Sequence, residues 1–281
     1  MMKTILYATD YSQNSVAALK LAYLLTKKFD AKLFVMHVFD IPLTLSTVSI
    51  SHLKKEKRLL IENKSKLKEF CKEHLGDTWE GGDINFIVEE NVSVVQTILK
   101  KATELEIDLI VLGAKGTSAV KQFFMGSATT ALIKKAPCAV LAVPAMFTLE
   151  NFQSMVYATD FEQADIFAIN RLVEIAKKFN SKISIVHIST SAEYAGDQQM
   201  EWFKEMLYQK VTYDKMEFDL IFDDDIFEGL NRYLENAHAS MFAMLERKDN
   251  SFSQRFLQED KVKKMVSATT IPLISFNIGG L

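Results

Sequence analysis

Cysteine is almost missing from this chain. Cys71 and Cys138 are the only two in 281 residues, too few for a disulfide framework or a cysteine-built zinc site, so a reducing compartment is the simplest reading. Long apolar runs are missing too. The stretch 138–147 falls short of the roughly 18 to 20 residues that a membrane-spanning helix needs, and Pro144 interrupts it. The chain runs at once into Thr4-Ile5-Leu6-Tyr7-Ala8, a strand-like segment ending in Asp10, without the basic segment, longer apolar core and cleavage site of a secretory signal. These absences predict a cytoplasmic protein with no membrane partner. An excess of one charge is lacking as well: 33 basic and 36 acidic side chains leave a net charge of -3, which gives no basic footprint for nucleic acid. What is present is a globular balance, with 48% apolar and 25% charged residues.

The chain repeats itself. Tyr7-Ala8-Thr9-Asp10 returns as Tyr157-Ala158-Thr159-Asp160, and Lys27-Lys28-Phe29 with His37 returns as Lys177-Lys178-Phe179 with His187. An offset this long marks two copies of a domain rather than a solenoid unit. Domains over 1–146 and 151–281 are therefore expected, each within ordinary domain size. In the first copy, apolar runs at 4–8, 32–38, 84–88, 107–112 and 138–143 alternate with helical patterns, which predicts βαβ units and a parallel sheet. Ala18, Leu21, Ala22, Leu25 and Phe29 form one helical stripe to lie on that sheet. Residues 51–73, rich in Lys and Glu around Leu53, Leu60, Leu67 and Cys71, read as an amphipathic helix with a solvated face. The second copy repeats the plan, with strands near 154–158, 182–188, 216–222, 240–245 and 272–276. It is shorter between its second and third strands, where 40–82 of the first copy corresponds to about 189–213.

Gly113 and Gly116, followed nine residues on by Gly126-Ser127, carry the chemistry. Glycine at the end of a buried strand lets the backbone turn with positive φ and approach a ligand without a side-chain clash. Gly126-Ser127 opens the helical run Ala128-Thr129-Thr130-Ala131-Leu132-Ile133, whose first amides are free donors at a positive dipole end and so attract phosphate. The Ser127 and Thr129 hydroxyls can add hydrogen bonds, with Lys115 or Lys121 as countercharge. Asp10 and Gly113 both stand at strand ends, where open α/β sheets bind ligands. The second copy lacks this set: no glycine lies between Gly229 and Gly279. An offset near 133 brings Glu246, Asp249, Glu259 and Asp260 to the positions of Gly113, Gly116, Gly126 and Ser127. Side chains there obstruct backbone approach and carboxylates repel phosphate, so one phosphate site is expected rather than two.

Other constellations read as structural. Asp223-Asp224-Asp225 is a solvated acidic turn, His37 and His187 belong to no metal-ligand spacing, and Asp160 is a strand-end acid that hydrogen-bonds nearby amides. The chain holds no Gly-x-Ser-x-Gly elbow, no Gly-x-x-x-x-Gly-Lys-Ser/Thr loop and no kinase-like set. No catalytic residue and no protein metal ligand is nominated.

Gly113, Gly116, Gly126 and Ser127 match without a gap the spacing Gly, two residues, Gly, nine residues, Gly and Ser or Thr. By this spacing, the opening Ile5 to Ser12, the His37-Val38 strand end and Lys134 to Leu141, the chain resembles the ATP-binding branch of the universal stress protein family. It does so over its whole length, as a two-domain tandem. The resemblance implies two Rossmann-like domains of the adenine nucleotide alpha hydrolase-like fold, each a five-stranded parallel sheet with helices on both faces, packed through their last strands as an internal pseudo-dimer. It implies ATP, with Mg²⁺ on its phosphates, bound by the first domain. Ala8, Thr9 and Asp10 would then line the adenosine end and Val38 would meet adenine through its backbone. Leu112, Gly113 and Gly116 would border ribose and phosphates, and Gly126, Ser127, Ala128 and Thr129 would hold the phosphate chain. The function expected is a nucleotide-dependent stress-response regulator with a protein partner, in which the segment 117–125 orders on binding. A slow ATPase or phosphotransferase, and a nucleotide-independent scaffold, stay open beside it, as does further pairing into a homodimer.

Overall fold

The computed structural model describes residues 2–41, 50–76, 84–114, 126–148, 152–191, 196–246 and 271–277. The first half consists of β1 (Thr4–Ala8), α1 (Val16–Phe29), β2 (Lys32–Phe39), α2 (Ile50–Leu75), β3 (Ile84–Glu90), α3 (Val94–Glu104), β4 (Leu109–Ala114), α4 (Ser127–Lys135) and β5 (Ala139–Pro144). The second half consists of β6 (Ser154–Ala158), α5 (Gln163–Phe179), β7 (Lys182–Ser189), α6 (Gly196–Lys210), β8 (Met216–Phe222), α7 (Ile226–Asn236), β9 (Met241–Glu246) and β10 (Leu273–Asn277). The ten strands form one sheet in the order β3-β2-β1-β4-β5-β10-β9-β6-β7-β8. Within each half every pairing is parallel. Where the halves meet, β10 runs antiparallel to β5, with Ile274 beside Leu141.

Local chemistry explains the repeated punctuation. The stripe expected on α1 is buried, with Ala18, Leu21 and Ala22 at 0% exposure. The helix ends at Asp30 in the left-handed region (φ 53°), and α5 ends at Asn180 in the same conformation (φ 57°). Asp and Asn tolerate that conformation at a helix terminus because their short polar side chains bond locally. α2 buries Leu67 and Cys71 and exposes much of its charged surface, as an amphipathic helix should. It has 26 residues where its counterpart α6 has 15, which accounts for the shorter second half. β4 begins at Leu109 rather than 107: Glu106 takes φ 49° and the Ile107 amide bonds to Ala102 O, so Ile107 is buried in the turn that closes α3.

One apolar layer, with α1, α2, α5 and α6, and another, with α3, α4 and α7, cover the two faces of the sheet, and each contains residues of both halves. Across the junction Lys28 Nζ lies 5.5 Å from the Phe179 ring and Lys178 Nζ lies 5.5 Å from the Phe29 ring. Such reciprocity is the mark of a two-fold relation. An exposed cation–π contact stabilises by about 0.5 to 1 kcal/mol. Lys28→Met and Lys178→Met are therefore expected to lower stability by about 0.5 kcal/mol each and additively, as read by urea unfolding. Strongly non-additive losses would show that the two contacts are coupled rather than separate.

Candidate functional site

The turn after β1 is built by short polar side chains. Thr9 donates its amide to Met36 O (2.9 Å), and its hydroxyl accepts from the Tyr11 amide (3.0 Å) and pairs with Ser15 Oγ (2.9 Å). Asp10 Oδ1 accepts from the Ser12 amide (3.0 Å). These bonds hold Tyr11 at φ 62°, a left-handed conformation rare for an aromatic residue and so sustained by its surroundings. The Tyr11 ring stacks on His37 (4.2 Å), lies under Lys66 Nζ (4.3 Å) and sends its hydroxyl to Asn63 O (3.1 Å). His37 Nδ1 donates to Thr9 O at 2.8 Å. Burial holds the His37 pKa below its ordinary value, and Lys66 adds to this, while the Thr9 carbonyl and Asp10 oppose it. His37 is thus a neutral structural donor, as expected of it.

Above this turn, at the carboxyl ends of β1, β2 and β4, lies a cavity of about 280 Å³, near the lower end for small-molecule sites. It sits where the strand order reverses direction between β1 and β4, the usual ligand crevice of an open α/β sheet. Ala8, Thr9, Asp10, Val38, Leu112, Gly113, Gly126, Ser127, Ala128 and Thr129 all line it. Gly116, Lys115, Lys121 and the segment 117–125 lie outside the described residues. Met36, Val94, Ile98 and Leu132 complete an apolar wall, and Ser12, Asn14 and Ser15 add polar groups. Motif spacing does not reveal these last residues, because they converge only through the packing of α3, α4 and the turn. The alternation along β2, which puts Met36 on the same face as Val38, is the sequence signal that could have found Met36.

Gly113 is needed for a different reason from the expected positive φ. Among the described glycines only Gly76 has φ > 0. A Cβ on Gly113 would stand 2.6 Å from Asn14 O and 2.8 Å from Ser15 Cα, so glycine is required because the turn's backbone passes directly over it. Gly126 likewise has an extended backbone (φ -63°, ψ 152°), with no side-chain cap on α4. The first bonded amide of the helix is that of Thr130, donating to Gly126 O (3.0 Å). The amides of 127–129 therefore precede the helical ladder at the wall of the cavity, the arrangement that suits an anion. Asp10 is the one carboxylate among the lining residues.

The second half handles the equivalent places otherwise. Leu6 pairs with Ile110 and Val156 with Phe242, so Leu245 stands where Gly113 does and Glu246 stands at Ala114, one position from the expected alignment. Asp249, Glu259 and Asp260 lie outside the described residues. The acid that organises the second turn is Asp165, at the place of Ser15. It is 1% exposed and accepts from Tyr157 OH (2.8 Å), Thr159 Oγ1 (2.9 Å) and the amides of Asp160 (3.2 Å) and Glu162 (3.0 Å). Asp160, the acid expected to bond nearby amides, gives its own backbone amide to Asp165. The acidic turn is local structure: Asp225 caps α7 through the amides of Phe227 and Glu228, Asp224 accepts from the Ser191 amide, and Asp223 pairs with Arg232. Among the described residues no group of His, Cys, Asp or Glu is placed to hold a metal, and no helix is long and apolar enough to cross a membrane. Burial pushes the Cys71 and Cys138 thiols up to about 12, so neither is a nucleophile at neutral pH.

Known proteins share this architecture. A universal stress protein of Archaeoglobus fulgidus superposes over 98% of this chain and 98% of its own, with a TM-score of 0.68 at 17% identity, a likeness of fold. A universal stress protein solved in complex with cAMP covers 46% of this chain and 98% of its own, at 13% identity and a TM-score of 0.37. By sequence, a universal stress protein of Methanocaldococcus jannaschii is 32% identical over 149 residues, covering 51% of this chain and 82% of that relative. The sequence pattern of the universal stress protein family matches residues 1–144, the half that contains the cavity, and the chain belongs to that family.

Proposed function

We propose that the first half binds ATP, with Mg²⁺ on its phosphates, and that the protein is a nucleotide-dependent regulator of a stress response, its second half a degenerate copy of the same domain. One observation carries the reading: residues from four separate segments, expected for one ligand, line one cavity, with the uncapped start of α4 in its wall. The chemistry of the lining fits the group. Met36, Val38, Ile98 and Leu132 offer an apolar surface to the base, and Asp10 offers an acceptor to the sugar hydroxyls. The amides of 127–129 with the Ser127 and Thr129 hydroxyls offer donors to phosphate. A bound Mg²⁺ would draw its ligands from phosphate oxygens and water, so a protein cage is not required.

Calorimetric titration of the nucleotide-stripped full chain with ATP and Mg²⁺ tests this. One equivalent is expected. Ser127 is exposed at the first turn of α4, where an acidic residue favours the helix dipole yet opposes phosphate. Ser127→Asp is thus expected to weaken ATP binding at least tenfold with an unchanged melting temperature. Absence of heat at several temperatures, with no nucleotide carried through purification, would sink the reading in favour of a scaffold.

A further inference from the structure

A side chain of the second half bonds to the helix that borders the cavity. Asn277, the last residue of β10, is 6% exposed, and its Nδ2 donates to Ile133 O (2.9 Å) and Ala136 O (2.7 Å). Both carbonyls stand at the C-terminal end of α4, where a helix leaves its last acceptors without internal partners. α4 thus begins at the cavity in the first half and ends in the grip of a residue from the second.

The position is particular to the second half. Ile110 pairs with Val140 and Phe242 with Leu273, so the first-half counterparts of Asn277, Ser275 and Glu246 are Pro144, Ala142 and Ala114. Three apolar positions in one half have become three buried polar ones in the other. Burying such groups is costly, and Glu246 Oε2, Ser275 Oγ and Asn277 Oδ1 have no hydrogen-bond partner among the described residues. Of the three, Asn277 makes bonds that cross the junction, and they end on the helix that borders the cavity.

We propose that Asn277 is a positioning residue, clamping α4 from the second half and so setting where the amides of 127–129 stand in the wall of the cavity. α4 has nine residues, about 13 Å at 1.5 Å per residue, short enough to loosen as one cooperative unit when its end is released. Leu132, beside the held carbonyl of Ile133, itself lines the cavity, so a shift at the clamp changes the wall directly. This gives the second half a means of acting on the first without binding the ligand. The clamp stands on geometry alone, while its effect on a nucleotide rests on the function proposed above.

Hydrogen exchange of the full chain without nucleotide tests the clamp separately from the ligand, using Asn277→Leu and the isosteric Asn277→Asp, which replaces the donor by an acceptor. Exchange at the Thr130, Ala131 and Leu132 amides is expected to rise about tenfold in either variant, with β1 and α3 unchanged. Acceleration confined to the last turn of α4, or absent from it in a folded variant, would overturn the inference. In parallel, ATP affinity should fall about tenfold in both variants. Wild-type protein that binds no ATP, with Thr130 to Leu132 still accelerated in the variants, would retain the clamp and remove the ATP reading. Unchanged ATP affinity in a folded variant would overturn the clamp's positioning role.

Discussion

Gly113→Leu, which installs the residue found at the equivalent place in the second half, is expected to destabilise the protein by about 3 kcal/mol and to abolish ATP binding. The first atom added already meets backbone: a Cβ at Gly113 would be 2.6 Å from Asn14 O and 2.8 Å from Ser15 Cα. Backbone in a hydrogen-bonded turn yields less readily than a side chain end, and Ser15 is fixed through Thr9 and Ser12. Overpacking of this kind costs about 1 to 3 kcal/mol, less than the stability of an ordinary domain, so the variant should remain folded for titration at 25 °C. Gly113→Ala is the graded control, expected to cost about 1 to 2 kcal/mol because the methyl group alone makes the clash. Urea unfolding of the three proteins reads the cost and calorimetry reads the site. A change below about 0.5 kcal/mol for Gly113→Ala would show that the turn relaxes freely and that glycine serves some other purpose there.

The second large effect is a pH dependence located at one carboxyl. Glu246 is 7% exposed at the end of β9, and burial raises its pKa from 4.5 to about 7, opposed by Lys134 on α4. Between those two values the folded protein keeps a proton that the unfolded chain has released. Unfolding then becomes easier by about 1.4 kcal/mol per pH unit. The stabilisation is fully present below pH 4.5, is lost as pH rises towards 7, and changes no further above that. Wild-type stability is expected to decline relative to Glu246→Gln by about 3 kcal/mol at most across that window. The amide variant keeps the shape without the titration, so other groups cancel in the comparison. Denaturant unfolding at pH 5, 6, 7 and 8 measures it, and parallel curves for the two proteins would refute it. Among the described residues Lys134 is the charged group that faces Glu246, so Lys134→Met is expected to raise the Glu246 pKa further and extend the wild-type decline to higher pH.

The unequal legibility of the chain has physical causes. Strand Lys32–Phe39 was legible because an inner strand of a parallel sheet is apolar over most of its length. The α1 stripe was legible because a helix against a sheet must repeat every three to four residues. The start of β4 was not, because Ile107 is buried equally well by the turn that closes α3, and burial alone does not distinguish turn from strand. In the cavity, Gly113 and Gly126 to Thr129 announced themselves by glycine spacing at element ends and Asp10 by its strand end, while Ala8 and Thr9 came from the family resemblance. Val94, Ile98 and Leu132 carry no such signal, since an apolar residue on α3 or α4 looks the same whether it faces core or ligand.

The sequence by itself determined the α/β class, the repeat at an offset of 150 residues and the short segments that meet at strand ends, because periodicity and glycine placement are local properties that survive without a partner. Tertiary structure alone decided why Gly113 is glycine and that Asn277 holds the far end of α4. Each of these depends on atoms distant along the chain coming within 3 Å or so, as Asn277 and Ile133 do across 144 residues, and hydrogen bonds and steric contacts act only over that range.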